Sequence, residues 1–204
     1  TFAFDASGEQ VDFTNTGDFG VGSVGAITSS SAGSANLTAS GALTIDHALT
    51  IAGALDLTAG GGIYSTGGEG SIIEAGGDVS LSGVSIGGAE GGAISILGGE
   101  GSSLSLTALG GEGGEINVDA YNSDFDSLTI SLEDADSDVY VLVQNSDFVT
   151  MSGDGVDVTL DDMRSTGSGI DVTINAEGSD LVTAQGTSNL GGDLNLTSGE
   201  DIVL

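Results

Sequence analysis

The sequence predicts an all-β fold: a single parallel β-helix (β-solenoid) with about 22 residues per coil. Three observations predict it. Large apolar residues come in pairs two positions apart, the pairs recur at a near-constant interval, and glycine, serine or aspartate separates them. The chain has 204 residues with 37 Gly and no Pro. Glycine can take the strained backbone conformations of corners, and a chain without proline keeps every backbone N–H for strand pairing.

The apolar pairs, such as Leu43/Ile45 and Leu104/Leu106, alternate with small polar residues, which is typical of short strands. No stretch keeps a helical period, so we expect essentially no helix. The pairs fall into two interleaved series, each advancing by about 20 to 24 residues, as repeat architectures do. One series passes through Ile94, Ile116, Val139 and positions near 160, 181 and 202; the other passes through Val84, Leu104, Leu128, 149–151, 170–172 and Leu194.

One repeat is legible as an echo, because "YNSDFDSL" from residue 121 returns as "QNSDFVTM" from residue 144. Strands of successive coils lie about 4.8 Å apart, so residues in register stack directly on one another. The offset therefore predicts three stacked pairs of like residues: Asn122 on Asn145, Asp124 on Asp147 and Phe125 on Phe148.

We expect residues 1–204 to form one β-helix domain, with 1–34 as a less regular capping or starting segment, because the period is poorer there. The last residues, "EDIVL", read as an apolar strand without a polar cap. Repeat arrays need covered ends. This end therefore favours a rod that continues in a longer chain or that associates end to end with another subunit.

The charge of the chain excludes several classes of partner. The sequence holds 31 acidic residues against Arg164 as its only Lys or Arg, for a formal net charge of −30. Binding to phosphate backbones needs clustered basic residues, so nucleic acid and anionic membrane surfaces are excluded. No run of about 20 apolar residues occurs, so we expect no membrane insertion. The absence of Cys excludes disulfides and thiolate metal sites.

The strings "ASGALTIDHALTIAGALDLTAGGGI", "EAGGDVSLSGVSIGG" and "GGDLNLTSGEDIVL" resemble the repeats of secreted bacterial β-helix exoproteins of the filamentous-haemagglutinin type. The resemblance covers most of residues 35–204. It implies export to the cell surface and a role as an adhesin or surface fibre. The secretion segment of that family carries an Asn-Pro-Asn-Gly motif, which this Pro-free chain lacks, so the resemblance is to the shaft.

The function we expect is therefore that of an extracellular, structural or adhesive shaft that forms filaments or surfaces and is not an enzyme. Its expected partners are surface glycans, cations or copies of itself. One alternative is a carbohydrate-active β-helix enzyme, but such sites commonly add basic residues and aromatic platforms, and this chain has one Arg, three Tyr and no Trp. A second alternative is a calcium-dependent surface-layer module.

Two single residues invite a catalytic or binding interpretation. His47, beside Asp46, would need a serine nucleophile and an oxyanion pocket to act in catalysis. We expect instead a turn or surface histidine. Arg164 could clamp a substrate, but a local partner in Asp161 or Asp162 is the simpler interpretation. We therefore predict no catalytic residues and no required cofactor.

Acidic turns between residues 119 and 147 are the candidate metal site. Asp over Asp at about 4.8 Å is repulsive, and no lysine exists to neutralise it. Calcium prefers six to eight oxygen ligands, which acidic turns supply. The segment "EDADSDVY" is not an EF-hand, because Val139 and Asn145 stand where that loop needs Gly and Glu. We predict a Ca²⁺ site formed by Asp124, Asp147, Asp126, Asp134, Asp136 and Asp138.

Overall fold

The computed structural model of the chain is all-β, as the sequence predicts. It describes residues 1–27, 29–66, 72–87, 92–99, 101–109, 115–120, 125, 127–132, 138–144, 148–152, 157–164, 170–176, 181–185, 191–198 and 201–203, with side chains as far as Ile130 except that of Glu115. These residues form twenty strands and no helix, so none of their segments is a helix that could cross a membrane. In chain order the strands are β1 (Asp5–Asn15), β2 (Phe19–Val21), β3 (Ser30–Ala39), β4 (Leu43–Ile45), β5 (Leu49–Ile51), β6 (Leu55–Ala59), β7 (Ile63–Ser65), β8 (Ile72–Ala75), β9 (Val79–Gly83), β10 (Ile94–Gly98), β11 (Ser103–Ala108), β12 (Glu115–Ala120), β13 (Ser127–Leu132), β14 (Asp138–Gln144), β15 (Phe148–Ser152), β16 (Asp157–Arg164), β17 (Ile170–Ala176), β18 (Leu181–Gln185), β19 (Gly191–Ser198) and β20 (Asp201–Val203).

The strands pair in parallel, each with its counterpart one coil further along the chain. The coil length varies. Leu55 lies 20 residues after its partner Ala35, whereas Leu104 lies 25 residues after its partner Val79. A strand followed by its neighbour in register one coil later needs no crossover helix, because the coil itself is the crossover. The predicted β-solenoid and its repeat are confirmed.

The coils stack their strands into faces. The first face contains β1, β3, β6, β9, β11, β13, β15, β17 and β19. The second face runs through β2, β4, β7, the isolated bridges of Ile86, and then β12, β14, β16, β18 and β20. The third face contains the start of β3, then β5, β8 and β10. From β13 onward, the described strands belong to the first two faces.

The predicted place of Val84 is wrong. The sequence put Val84 in the series of Leu104, but the register partner of Leu104 is Val79. Ile86, the other half of the Val84 pair, bridges Ile63 and Ile116 on the second face. A period-two pair identifies a strand but not its face, because corner lengths vary between coils and shift the count.

The core lies between the faces and is built from inward files of aliphatic side chains. Along the first face, Leu37, Leu57 and Leu81 are in register and fully buried. The second face contributes a matching file that includes Leu43 and Ile63. Full burial of one such side chain contributes roughly 1.5 to 3 kcal/mol. The predicted inward stacking of Val, Ile and Leu is confirmed for these residues.

The first coil carries aromatic residues where later coils carry aliphatic ones. Phe13 is in register with Leu37 and begins its file. The ring of Phe13 stacks on that of Phe2, with centroids 4.2 Å apart, and meets Phe19 edge-on at 5.1 Å. Phe4 is buried, and the other three rings are half-buried against the core. The rings therefore cover the aliphatic files at the first coil. The division of residues 1–204 into one domain with a starting segment at 1–34 stays a prediction.

Corners bring the backbones of successive coils into contact. A Cβ atom on Gly53 would lie 2.8 Å from the carbonyl oxygen of Gly33, one coil earlier, so only glycine fits there. Two acidic residues also join coils. Asp18 Oδ1 accepts the backbone N–H of Ala42, and Asp78 Oδ1 accepts that of Ser103, each at 2.8 Å. Acidic side chains thus satisfy N–H groups that the corners leave outside the ladders.

Candidate functional site on the first face

The outward positions of the first face carry only short polar residues. They form two files in register, separated by one inward residue on each strand. We call these eighteen residues the polar grid: Asp12, Asn36, Asp56, Ser80, Ser105, Thr129, Thr150, Thr173 and Asn195 in one file, and Thr14, Thr38, Thr58, Ser82, Thr107, Ser131, Ser152, Asn175 and Thr197 in the other.

The described part of the polar grid faces solvent. Every grid side chain described, as far as Thr129, is exposed or half-buried, while residues between the two files, such as Leu57 and Leu106, are buried. Neighbouring strands lie about 4.8 Å apart, and residues i and i+2 of one strand lie about 6.6 Å apart. Strand geometry therefore sets polar groups on a rectangular net of those two spacings.

Few of these groups are engaged within the protein. Thr58 Oγ1 donates to Asp56 Oδ1 at 3.4 Å, and the Gln10 amide donates to both carboxylate oxygens of Asp12 at 3.0 Å. In the part of the chain whose side chains are described, no protein hydrogen bond engages the hydroxyls of Thr38, Ser80 or Thr107. Such hydroxyls can both donate to and accept from an external partner.

A shallow groove of about 300 Å³ lies beside the grid in the first four coils. Its floor includes the buried Ala35 and Leu55. Hydroxyl, amide and carboxylate groups form its walls: Gln10, Ser34, Asn36, Asp56, Asp78 and Ser80. Of the side chains that line the groove none is cationic, so neutral or positively charged ligands suit it better than anions.

The other faces do not repeat this uniformity. The outward file of the second face passes from Gly20 through Thr44 to Tyr64. That of the third face passes from Ser31 through Thr50 to Glu74 and Leu97. High β-propensity accounts for single threonines on any outward strand position. It does not account for two files of short polar residues maintained on one face only.

His47 is buried, so its expected exposure at the surface is wrong, although it does lie in the corner between β4 and β5. The side chain is 5% exposed, and Nε2 lies 2.8 Å from Ser30 Oγ, which is itself fully buried. Ser30 Oγ accepts the backbone N–H of Phe4 at 3.2 Å. The pair therefore ties the start of the chain to the second coil. Ser30 is 17 residues from His47, and no local pattern reveals the contact.

The hydrogen bonds around Ser30 favour one tautomer of His47. Ser30 Oγ accepts from Phe4, so its own hydrogen can donate to Nε2, which leaves the imidazole proton on Nδ1. Nδ1 is buried with no hydrogen-bond partner among the described residues. Burial lowers the pKa of His47, and the neighbouring Asp46 carboxylate opposes that shift. The serine–histidine distance suits a nucleophile and base, but burial closes the pair to a substrate.

The predicted calcium ligands lie outside what the structure describes. Asp124, Asp126, Asp134, Asp136 and Asp147 are outside the described residues. Asp138 begins β14, opposite Glu115 of β12, with only its backbone described. Among the residues that are described, no group of three or more His, Asp or Glu side chains could hold a metal ion. The calcium site stays a prediction.

Arg164 ends β16, where its backbone is in register with Gln144. Its side chain lies outside the described part, as do those of Asp161 and Asp162. Neither the local ion pair nor the substrate clamp is therefore tested, and both stay predictions.

The predicted stacking of Phe125 on Phe148 is wrong. Phe148 is in register with Ser127, not with Phe125. Phe125 is 1% exposed, and its ring fills the space beside Gly98, where a Cβ atom would collide with it. The pairs Asn122/Asn145 and Asp124/Asp147 lie outside the described residues.

The chain has no counterpart in three comparisons with known proteins. No protein-family model matches it. Neither does any curated protein or any solved structure. The fold therefore rests on the strand pairing itself.

Proposed function

We propose that this chain is the shaft of an extracellular surface protein of the filamentous-haemagglutinin type. In this proposal it is a structural element without catalytic activity, and its outer surface mediates adhesion to surface glycans. Copies of the shaft, or further coils of a longer chain, extend it into a filament. Nucleic acid and the membrane interior are not among its partners.

The unbroken parallel ladder of the first face carries the proposal. The file from Val11 to Leu194 passes through all nine strands of that face, with one residue on each. Each coil buries its apolar residues against its neighbours, so a stack of coils is stiff and can grow by repetition. Stiffness and repetition are the properties that a shaft needs.

The charge of the chain supports an exposed, hydrated rod. A net charge of −30 keeps such rods apart in solution at low salt, and screening over about 8 Å at physiological salt lets them approach. We expect association between rods to increase with ionic strength for this reason.

Electron microscopy of the purified chain and of the native surface tests the proposal. We expect rods of constant width, with native material showing continuous fibres of that width. Antibodies against the chain should label intact cells without permeabilisation. Isolated short rods in the native material, or labelling only after permeabilisation, would contradict the proposal.

The alternative is a carbohydrate-active enzyme, and the groove beside Asp56 and Asp78 is the observation that favours it. Two carboxylates flanking a sugar are the usual pair in glycoside hydrolysis. We expect no release of reducing ends from neutral or acidic polysaccharides. Turnover that disappears in Asp56→Asn and Asp78→Asn, but not in Glu9→Gln and Glu74→Gln, would replace the shaft by an enzyme.

Calcium binding belongs to the proposal as an accessory property. We expect millimolar calcium to raise the melting midpoint at fixed ionic strength, and a chelator to reverse the rise. Asp124→Asn with Asp147→Asn should abolish it, because these carboxylates are proposed ligands. An unchanged midpoint would leave screening alone to offset the repulsion.

A further inference from the structure

The polar grid has a property that adhesion through a groove does not require: it is periodic in two directions. One period is the strand spacing of about 4.8 Å, and the other is the two-residue repeat of about 6.6 Å. Register shifts on this face fall outside the grid positions, between Ala6 and Gln10 and between Ile170 and Val172. All nine rows of the grid therefore keep one net.

A partner that matches such a net must itself be periodic in two directions. An irregular surface, such as that of a folded protein, meets only a few sites of a net at once. A soluble glycan repeats in one direction only. A crystal surface repeats in two. Net hydrogen bonds contribute about 0.5 to 1.5 kcal/mol each, so binding becomes strong only where many form together.

The chemistry of the grid selects among crystals. Its residues are mostly hydroxyls, which donate and accept as water molecules do. From Ser80 onward no grid position carries a charged residue, although 31 acids occur in the chain. A mineral of ions would favour carboxylates. A lattice of neutral, mutually hydrogen-bonded oxygens suits hydroxyls.

We propose that the polar grid binds ice. The prism faces of hexagonal ice repeat with two periods close to those of the net. In this arrangement, hydroxyls such as those of Ser105 and Thr107 hold first-layer water molecules at lattice positions, and these waters merge with the crystal. The acidic residues outside the grid keep the remaining surface hydrated by liquid water. The inference goes beyond the shaft function and does not depend on adhesion to glycans.

Partition into slowly grown ice tests the proposal. A dilute solution of the whole chain freezes onto a cold surface under stirring, and the protein in the ice fraction is compared with an acidic tracer protein of similar size. We expect the chain to be enriched in the ice relative to the tracer. A chain that is excluded as completely as the tracer would overturn the proposal.

Matched lysine variants locate the binding surface. Thr58→Lys with Thr107→Lys places two long cations on the grid, whereas Thr44→Lys with Thr50→Lys makes the same change on the other two faces. We expect the grid pair to lower the ice-bound fraction roughly tenfold, which corresponds to about 1.4 kcal/mol, and the control pair to leave it unchanged. An equal loss in both pairs would overturn the assignment.

Two further measurements keep the outcome unambiguous. If the grid lysine pair disturbs folding, as circular dichroism would reveal, Thr58→Val with Thr107→Val keeps the β-branched shape and removes only the hydroxyls; unchanged ice binding by this variant would contradict a hydroxyl net. Sedimentation with crystalline cellulose tests a polysaccharide lattice. Binding to cellulose together with exclusion from ice would make the partner a glycan and the proposal wrong, while leaving the shaft function intact.

Discussion

The first coil and the coils behind it use the same positions for different purposes. Phe13 and Leu57 belong to one inward file, two coils apart. Phe13 is half-buried among other rings, whereas Leu57 is fully buried between neighbours. The position in the file sets the direction of the side chain, and the presence of a preceding coil sets its size. A file that must end there does so with a broad ring, which covers more of the layer beneath.

The largest expected difference between the two regions comes from truncating this file. Leu57→Ala leaves a cavity between two layers and should lower the free energy of unfolding by about 3 kcal/mol. Phe13→Ala should cost about 1 to 2 kcal/mol, because solvent already reaches the ring and the loss is mainly its aromatic contacts. Urea unfolding followed by circular dichroism measures both. Equal costs would mean that the first coil is ordinary core and not a cover.

Corner glycines sharpen the comparison for the coils behind the first. Gly53→Ala forces a Cβ atom to within 2.8 Å of the Gly33 carbonyl oxygen and should lower the free energy of unfolding by about 1 to 3 kcal/mol. Gly99→Ala is the matched control, because its Cβ atom would meet no atom closer than 3.8 Å. We expect nearly unchanged stability for Gly99→Ala. A similar loss in both variants would show that backbone entropy, and not contact between coils, selects glycine.

The acidic corners should behave alike in both regions, in contrast to the file. Asp18 serves the first coil and Asp78 an inner one, and each accepts an N–H from the next coil at 2.8 Å. Each change to Ala should cost about 1 kcal/mol, because it leaves that N–H without its partner. Each change to Asn keeps an acceptor oxygen and should cost less. Thermal melts of the four variants decide it. A cost confined to Asp78 would mean that the first coil is held by its rings alone.

The smallest expected effect is the pH dependence of the tie between Phe4, Ser30 and His47. The pKa of His47 is lowered in the folded protein from its usual 6.5. The unfolded chain therefore binds the proton first, and stability is lost as the pH falls below about 6.5 toward the folded pKa. The same loss should be missing in His47→Leu. The difference between the two urea-unfolding curves from about pH 7.5 to pH 5 isolates this effect from the titration of the carboxylates. A flat difference would contradict the lowered pKa.

How far the sequence predicts the structure follows from what parity can encode. Alternation of apolar and polar residues predicts which side chains point inward, and it does so for Leu37, Leu104 and Leu128. An even shift preserves that alternation, so similarity of text cannot distinguish an offset of 23 from the observed 21 between Leu128 and Val149. This is why Phe148 meets Ser127.

The candidate site was harder to predict than the fold. Its signal was present, since a small polar residue stands inside nearly every apolar pair, as in "LDL" and "LSL". Only the register shows that these residues line up on one face and not on three. The burial of His47 depends on a contact with Ser30 in the preceding coil, and no spacing rule relates the two residues.

The direction of the ladder bonds governs how such a rod behaves under tension. They run along the rod axis while the chain runs across it, so a pull on the two ends of the chain loads one coil at a time. Each coil of 20 to 25 residues then releases roughly 65 to 90 Å of extended chain as it leaves the stack. A force–extension trace should show regular steps of this size, so that the molecule behaves as a spool and absorbs mechanical work over a path many times its own length.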